Sequence, residues 1–107
     1  MIKIKRLHVD AKLPRRAMPG DAGVDLFSCQ DATIIPGAYE LIPCGIAVEL
    51  PLGTEGQIRP RSGLAVKHGV TVLNSPRTVD CGYRGEIQVC LVNLENRTVS
   101  LPKGIKQ

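Results

Sequence analysis

Asn74-Ser75-Pro76-Arg77-Thr78-Val79-Asp80-Cys81-Gly82-Tyr83-Arg84-Gly85-Glu86 lies between two apolar runs, Val70 to Leu73 and Glu86 to Leu94. The second run alternates: Ile87, Val89 and Leu91 point one way, Gln88 and Cys90 the other. That is the period of a strand, and the reading predicts the longest strand of the chain there. The first run is a shorter strand, so the segment between them is the turn of a hairpin. A hairpin turn needs a glycine and an Asn or Asp. This one also carries an acid, an amide, hydroxyls, a phenol and two arginines, a load that points to binding or catalysis on a strand-supported loop.

Outward from this hairpin the same short-strand pattern recurs. An edge strand is expected at Ile2 to Ile4, a charged loop over Leu13 to Gly23, and short strands at Val24 to Ser28, Thr33 to Ile35 and Gly56 to Arg59, with apolar residues Leu41 and Ile42 within Tyr39 to Ala47 and alternation over Val48 to Leu50. The last strand is Thr98 to Leu101, stopped by Pro102. Ser62 to Gly69 is the single helical turn, with Ser62 placed to act as its N-cap. Eleven glycines and eight prolines punctuate 107 residues, and no stretch keeps a helical period. The fold class is therefore all-β, a sandwich or barrel, in one domain spanning residues 1–107. With three aromatic residues, Phe27, Tyr39 and Tyr83, the core has to be built from Val, Ile, Leu and Ala.

The net charge of +4 suits an anionic ligand. The basic residues are scattered and have no aromatic platform among them, so nucleic acid is not the expected partner. No apolar run approaches the length of a membrane span. Cys29, Cys44, Cys81 and Cys90 form no C-x-x-C pair and have no metal spacing to His8 or His68, which argues against zinc. Free thiols and a polar, alternating N-terminus suit a reducing cytoplasm.

Two further segments carry chemistry. Pro19-Gly20-Asp21-Ala22-Gly23-Val24-Asp25-Leu26-Phe27-Ser28 reads locally as a tight turn into a strand. Asp25, however, is an acid in an apolar strand, and a carboxylate there requires a partner. Pro60-Arg61-Ser62-Gly63-Leu64-Ala65 reads locally as the start of a helical turn. Its guanidinium, hydroxyl and unhindered backbone are also the groups that hold phosphates. It lacks P-loop spacing. In the opening segment, Asp80 on a turn beside glycines is placed to orient a water. Tyr83 offers a flat face to a sugar, and Asn74 an amide to a base edge.

These three segments resemble, in order and spacing, the first three motifs of the trimeric dUTP pyrophosphatases (dUTPases). Ala22-Gly23-Val24-Asp25-Leu26 is similar to the first, Arg61-Ser62-Gly63-Leu64-Ala65 to the second without a change, and Val79 to Glu86 to the third. In the third motif Val79 stands for Ile, Gly82 takes the second-acid position, and Arg77 stands where Gly is frequent. The resemblance implies a distorted jelly-roll β-barrel assembling as a homotrimer with shared active sites. It implies hydrolysis of dUTP to dUMP and pyrophosphate with Mg2+ as cofactor. Asp80 would activate the water; Tyr83 would lie under the deoxyribose; Asn74 would read uracil with backbone at Thr78, Val79 and Gln88; Arg61, Ser62 and Gly63 would hold phosphates; Asp25 would meet magnesium through water.

The C-terminus departs from the family pattern. Gln107 stands for the Gln of a shortened fourth motif and would be a further substrate contact. The Gly-rich fifth-motif arm does not follow it, so weak dUTP binding and slow turnover are expected of the chain as written. Two other readings compete. One is a non-catalytic nucleotide-binding or interaction module on the same fold, opposed by the intact Asp80, Arg61 and Ser62. The other is a dCTP deaminase, for which no Glu base stands out.

Overall fold

The computed structural model describes residues 2–102 and Gly104. Nine short strands and one helix follow the glycine and proline punctuation: β1 Lys3–Arg6, β2 Ala32–Ile34, β3 Tyr39–Pro43, β4 Ile46–Glu49, β5 Glu55–Ile58, α1 Ser62–His68, β6 Val70–Val72, β7 Arg77–Asp80, β8 Gln88–Asn93 and β9 Val99–Leu101. All pairings are antiparallel, in four small sheets: β1 with β4, β2 with β9, β5 with β7, and β3-β8-β6. Among the described residues the sheets do not close on one another into a continuous barrel.

The hairpin expected around the opening segment is present, since β6 pairs with β8 in the register Val70↔Asn93 to Val72↔Leu91. Its connection is more than a turn. Arg77–Asp80 leaves the hairpin and pairs with β5, Ile58↔Arg77 to Glu55↔Asp80. Sequence pattern alone hides β7 because its residues alternate in burial while three of the four are polar.

β8 is the centre of the three-stranded sheet, and there the simple alternation fails. Val89 and Leu91 are buried, but Cys90 and Val92 are buried as well. A central strand with packing on both faces reads as a continuous apolar run. Ile34, Ile42, Ile46, Val70, Val89 and Leu91 are almost completely excluded from solvent and form the middle of an aliphatic core. Asn93 is as deeply buried, and its side-chain amide donates to the Ile34 and Arg97 carbonyls, each at 2.9 Å, while its oxygen accepts the Glu95 N–H.

Two local expectations are corrected. Val24 to Ser28 is not a strand of its own: it makes isolated bridges, at Asp25 to Arg15 and at Phe27, rather than a ladder. Ser62 is the first residue of α1 rather than its N-cap; Arg61, extended at φ −88° and ψ 128°, holds that position without a side-chain cap bond. The helix stops at Gly69, whose φ of 63° is the left-handed conformation that ends helices, and its N–H donates back to Ala65.

Candidate active site

β7 presents its residues alternately. Val79 is buried and Arg77 half-buried on the inner side, while Thr78 and Asp80 are exposed on the outer side. Directly after the strand, the Tyr83 N–H donates to the Asp80 carbonyl at 3.0 Å, closing a turn through Cys81 and Gly82. The Tyr83 hydroxyl donates to the Glu86 carbonyl at 2.8 Å. The ring thereby lies over Gly85, where an added Cβ would meet the Tyr83 hydroxyl oxygen at 2.6 Å and Cζ at 2.7 Å. Arg84 donates to the Cys81 carbonyl at 2.5 Å and lies 3.6 Å from Glu49. The Glu86 carboxylate accepts the Gly45 N–H at 3.0 Å, anchoring the far end of the loop to the turn between β3 and β4. The loop is thus held by its own side chains, and it displays the Asp80 carboxylate and the Tyr83 ring, which is 38% exposed.

Across the β5–β7 ladder Asp80 faces Glu55. Like charges opposed in this way are unfavourable. Glu55 accepts the Gln57 side-chain amide at 3.0 Å, and the Gln57 amide oxygen in turn accepts the Arg59 guanidinium at 2.6 Å. Glu55, Gln57 and Arg59 were not singled out from sequence. Their alternation along an ordinary strand gives no signal until the pairing with β7 is known.

The first two motif segments meet each other. Arg15 and Asp25 exchange backbone hydrogen bonds of 3.2 and 2.8 Å, which fixes the chain at Asp25. The Arg61 guanidinium donates to the Asp25 carboxylate, whose side chain is 13% exposed against 35% for Arg61. Both residues border a cleft of about 590 Å³ whose walls include Ile4, Leu26, Leu50, Ile58 and Val79. Ser62 and Gly63 are exposed at the start of α1, and a Cβ at Gly63 would meet nothing within 4 Å. The fold's own packing therefore does not demand a glycine there.

The structure brings Asp25 and Arg61 together, and separately Asp80 with Tyr83; near Gln88 it places the Arg77 side chain, while Thr78 faces Gln57 across the β5–β7 ladder and Asn74 lies between β6 and β7. It does not bring Asp80 to Arg61. Asp80 stands at the Glu55 end of β5, whereas Arg61 follows the Ile58 end. The strand between them spans about 10 Å. Gln107 lies outside the described residues.

Burial, the neighbouring Cys29 and the Glu86 charge push the Cys44 thiol up to about 12. Burial, reinforced by Glu86, also raises Cys29. Both thiols are free, buried and protonated at neutral pH, so they act as small apolar groups rather than nucleophiles. Among the described residues no group of three or more His, Cys, Asp or Glu side chains is placed to hold a metal ion. A single carboxylate beside a guanidinium fits a hard, hydrated cation that arrives on phosphate oxygens and keeps most of its waters.

A family model described as dUTPase matches residues 9–106. The deoxyuridine 5'-triphosphate nucleotidohydrolase of Clostridium tetani is 57% identical over 105 residues, covering 98% of this chain and 72% of that protein. The protein of the same name from Rhodococcus erythropolis is 58% identical over 97 residues, covering 91% of this chain and 59% of that protein. Among solved structures, a mutant dUTPase from phage phi11 of S. aureus, described as revealing the coordination of a structural Mg(II) ion, superposes with a TM-score of 0.91 at 21% identity. It covers 98% of this chain and 84% of that one. The Staphylococcus phage 80alpha dUTPase bound to dUPNHPP gives 0.91 at 22% identity, covering 99% and 78%. At these identities the structures establish a common fold.

Proposed function

The chain belongs to the dUTPase family, and from that premise we propose that it hydrolyses dUTP to dUMP and pyrophosphate. The observation that carries the reading is the stapled Asp80–Glu86 loop. The turn closed by Asp80 and Tyr83 holds an exposed carboxylate beside an aromatic face on a rigid support. Asp80 takes a proton from a water aligned on the α-phosphorus. The new P–O bond forms as the bond from that phosphorus to the bridging oxygen breaks, and pyrophosphate leaves with the electron pair. Tyr83 stacks under the deoxyribose and leaves no room for a ribose 2′-hydroxyl. Asn74, with the backbone at Thr78, Val79 and Gln88, reads the uracil edge. Arg61, Ser62 and Gly63 hold phosphates. Positioning and charge neutralisation do most of the work in such a displacement, since little covalent chemistry is asked of the protein.

Magnesium bound to the triphosphate would supply charge neutralisation, and Asp25 would contact one of its waters. The Arg61–Asp25 pair supports this assignment, because it keeps one carboxylate and one guanidinium side by side at the edge of the cleft.

The active unit in this reading is a homotrimer with shared sites. Support comes from the separation of Asp80 and Arg61 at opposite ends of the β5–β7 ribbon. One copy would supply the Asp80 loop and a neighbour the Arg61 and Asp25 segments. Four free thiols suit a cytoplasmic setting.

The test is pyrophosphate release from dUTP with magnesium, beside dTTP, dCTP and UTP, for the chain and for Asp80→Asn. Release from dUTP alone, lost in Asp80→Asn, is the expected result. Binding of dUTP without release from any nucleotide would replace the enzyme with a binding module.

A further inference from the structure

β8 carries an interrupted edge. On its β6 side the Leu94 N–H donates to the Gly69 carbonyl and the Leu73 N–H to the Cys90 carbonyl, each at 2.9 Å. Peptide groups alternate in direction along a strand. The N–H and C=O of Gln88 therefore face the same edge as those of Cys90, and the next rung in register would join Gln88 to Ser75. β6 ends before that rung, at Val72. Asn74 to Pro76 leaves the ladder, and the Arg77 guanidinium donates to the Gln88 carbonyl in place of a backbone N–H. Arg77 reaches it because it shares the inner face of β7 with buried Val79.

A fork results, with Asn74 and Thr78 on one arm, Gln88 on the other, and the Arg77 side chain across it. One peptide edge with a donor and an acceptor on the same side is complementary to the imide edge of uracil, which offers N3–H beside a carbonyl. We propose that Arg77 is a specificity-determining residue that competes with the nucleobase for the Gln88 carbonyl. This rests on the dUTP reading above and adds a residue to it. Uracil can pair with Gln88 only after the guanidinium swings off. Cytosine placed in the same orientation sets its N3, an acceptor, against the freed carbonyl, and that N3 can instead take a hydrogen bond from the guanidinium. Arg77 therefore weakens uracil binding and narrows the preference for uracil over cytosine.

The competition acts on ground state and transition state alike, so it appears in KM and not in kcat. The test is calorimetric binding of dUMP and dCMP, with steady-state turnover of dUTP, for the chain, Arg77→Gly and Arg77→Thr. Threonine favours a strand and cannot reach Gln88, so it guards against loss of fold in the glycine variant. The expected result is dUMP binding about tenfold tighter in both variants, the exchange of one charged hydrogen bond. KM for dUTP should fall in parallel with kcat within about twofold, and dCMP binding should not tighten. Unchanged or weaker dUMP binding in both variants, with the parent chain binding dUMP, overturns the role of Arg77 and leaves the dUTP reading standing. Absence of dUMP and dUTP binding by the folded parent and both variants overturns both.

Discussion

Arg61 and Asp25, 36 residues apart in sequence, form an ion pair in which the carboxylate is the more buried partner. The expected phosphate ligand and the expected partner of hydrated magnesium are thereby pre-assembled as one unit. Removing the guanidinium takes a counter-charge from a mostly buried carboxylate, whereas neutralising the carboxylate leaves a cation that can still reach solvent. Arg61→Met should therefore destabilise the protein more than Asp25→Asn. A double-mutant cycle by urea unfolding should give a coupling of about 1–2 kcal/mol. Additive effects within error would mean that the pair is not formed in solution.

The Tyr83 ring is positioned by the absence of a side chain at Gly85. Gly85→Ala places a methyl where the phenol lies, so the ring has to leave its bond to the Glu86 carbonyl. Discrimination between dUTP and UTP should fall by about tenfold in kcat/KM, the worth of roughly one well-placed contact. Tyr83→Phe keeps the stacking face and loses the tether, and should show a smaller loss. Equal discrimination in Gly85→Ala and the parent would remove the ring from the sugar site.

Asn93 satisfies two carbonyls and one N–H from inside the core. Asn93→Leu would leave those backbone groups buried without partners. The expected cost is about 2–4 kcal/mol, read as a drop in urea midpoint with an unchanged m-value. A loss below about 0.5 kcal/mol would imply that water reaches the site.

The Cys44 thiol is raised by burial to about 12 from an ordinary 9.0. A raised acid keeps its proton longer in the folded state, so its contribution is complete below pH 9 and lost as pH climbs toward 12. Stability should fall across that window with a slope approaching about 1.4 kcal/mol per pH unit. Cys44→Val should flatten the slope while leaving stability at pH 7 within about 1.5 kcal/mol. Parallel pH profiles for the two proteins would count against a buried neutral thiol.

Local chemistry was the legible part. The glycine and proline spacing gave short strands almost everywhere they occur, and the three polar segments stood out because their residue types exceed what turns require. β7 was not legible: Arg77, Thr78 and Asp80 look like loop residues, and only Val79 hints at a buried face. Nor was the two-sided burial of β8 visible, because Gln88 and Cys90 pass for the solvent face of an ordinary edge. Asn93 carries no sign in its neighbours that it closes three backbone hydrogen bonds.

From the chain alone come the all-β class, the hairpin around Asn74 to Glu86, the helical turn beginning near Ser62, and the choice of Asp80, Tyr83, Arg61 and Asp25 as candidate site residues. These follow from dihedral preferences, alternation and side-chain functional groups, which act over a few residues. Tertiary structure decided that β7 pairs with β5, that Arg61 meets Asp25, that Glu55 confronts Asp80, and that Arg77 reaches the Gln88 carbonyl. Those facts depend on which edges are left unpaired once the aliphatic core has formed. Strand register is set by burial across the whole sheet, not by the residues of any one strand.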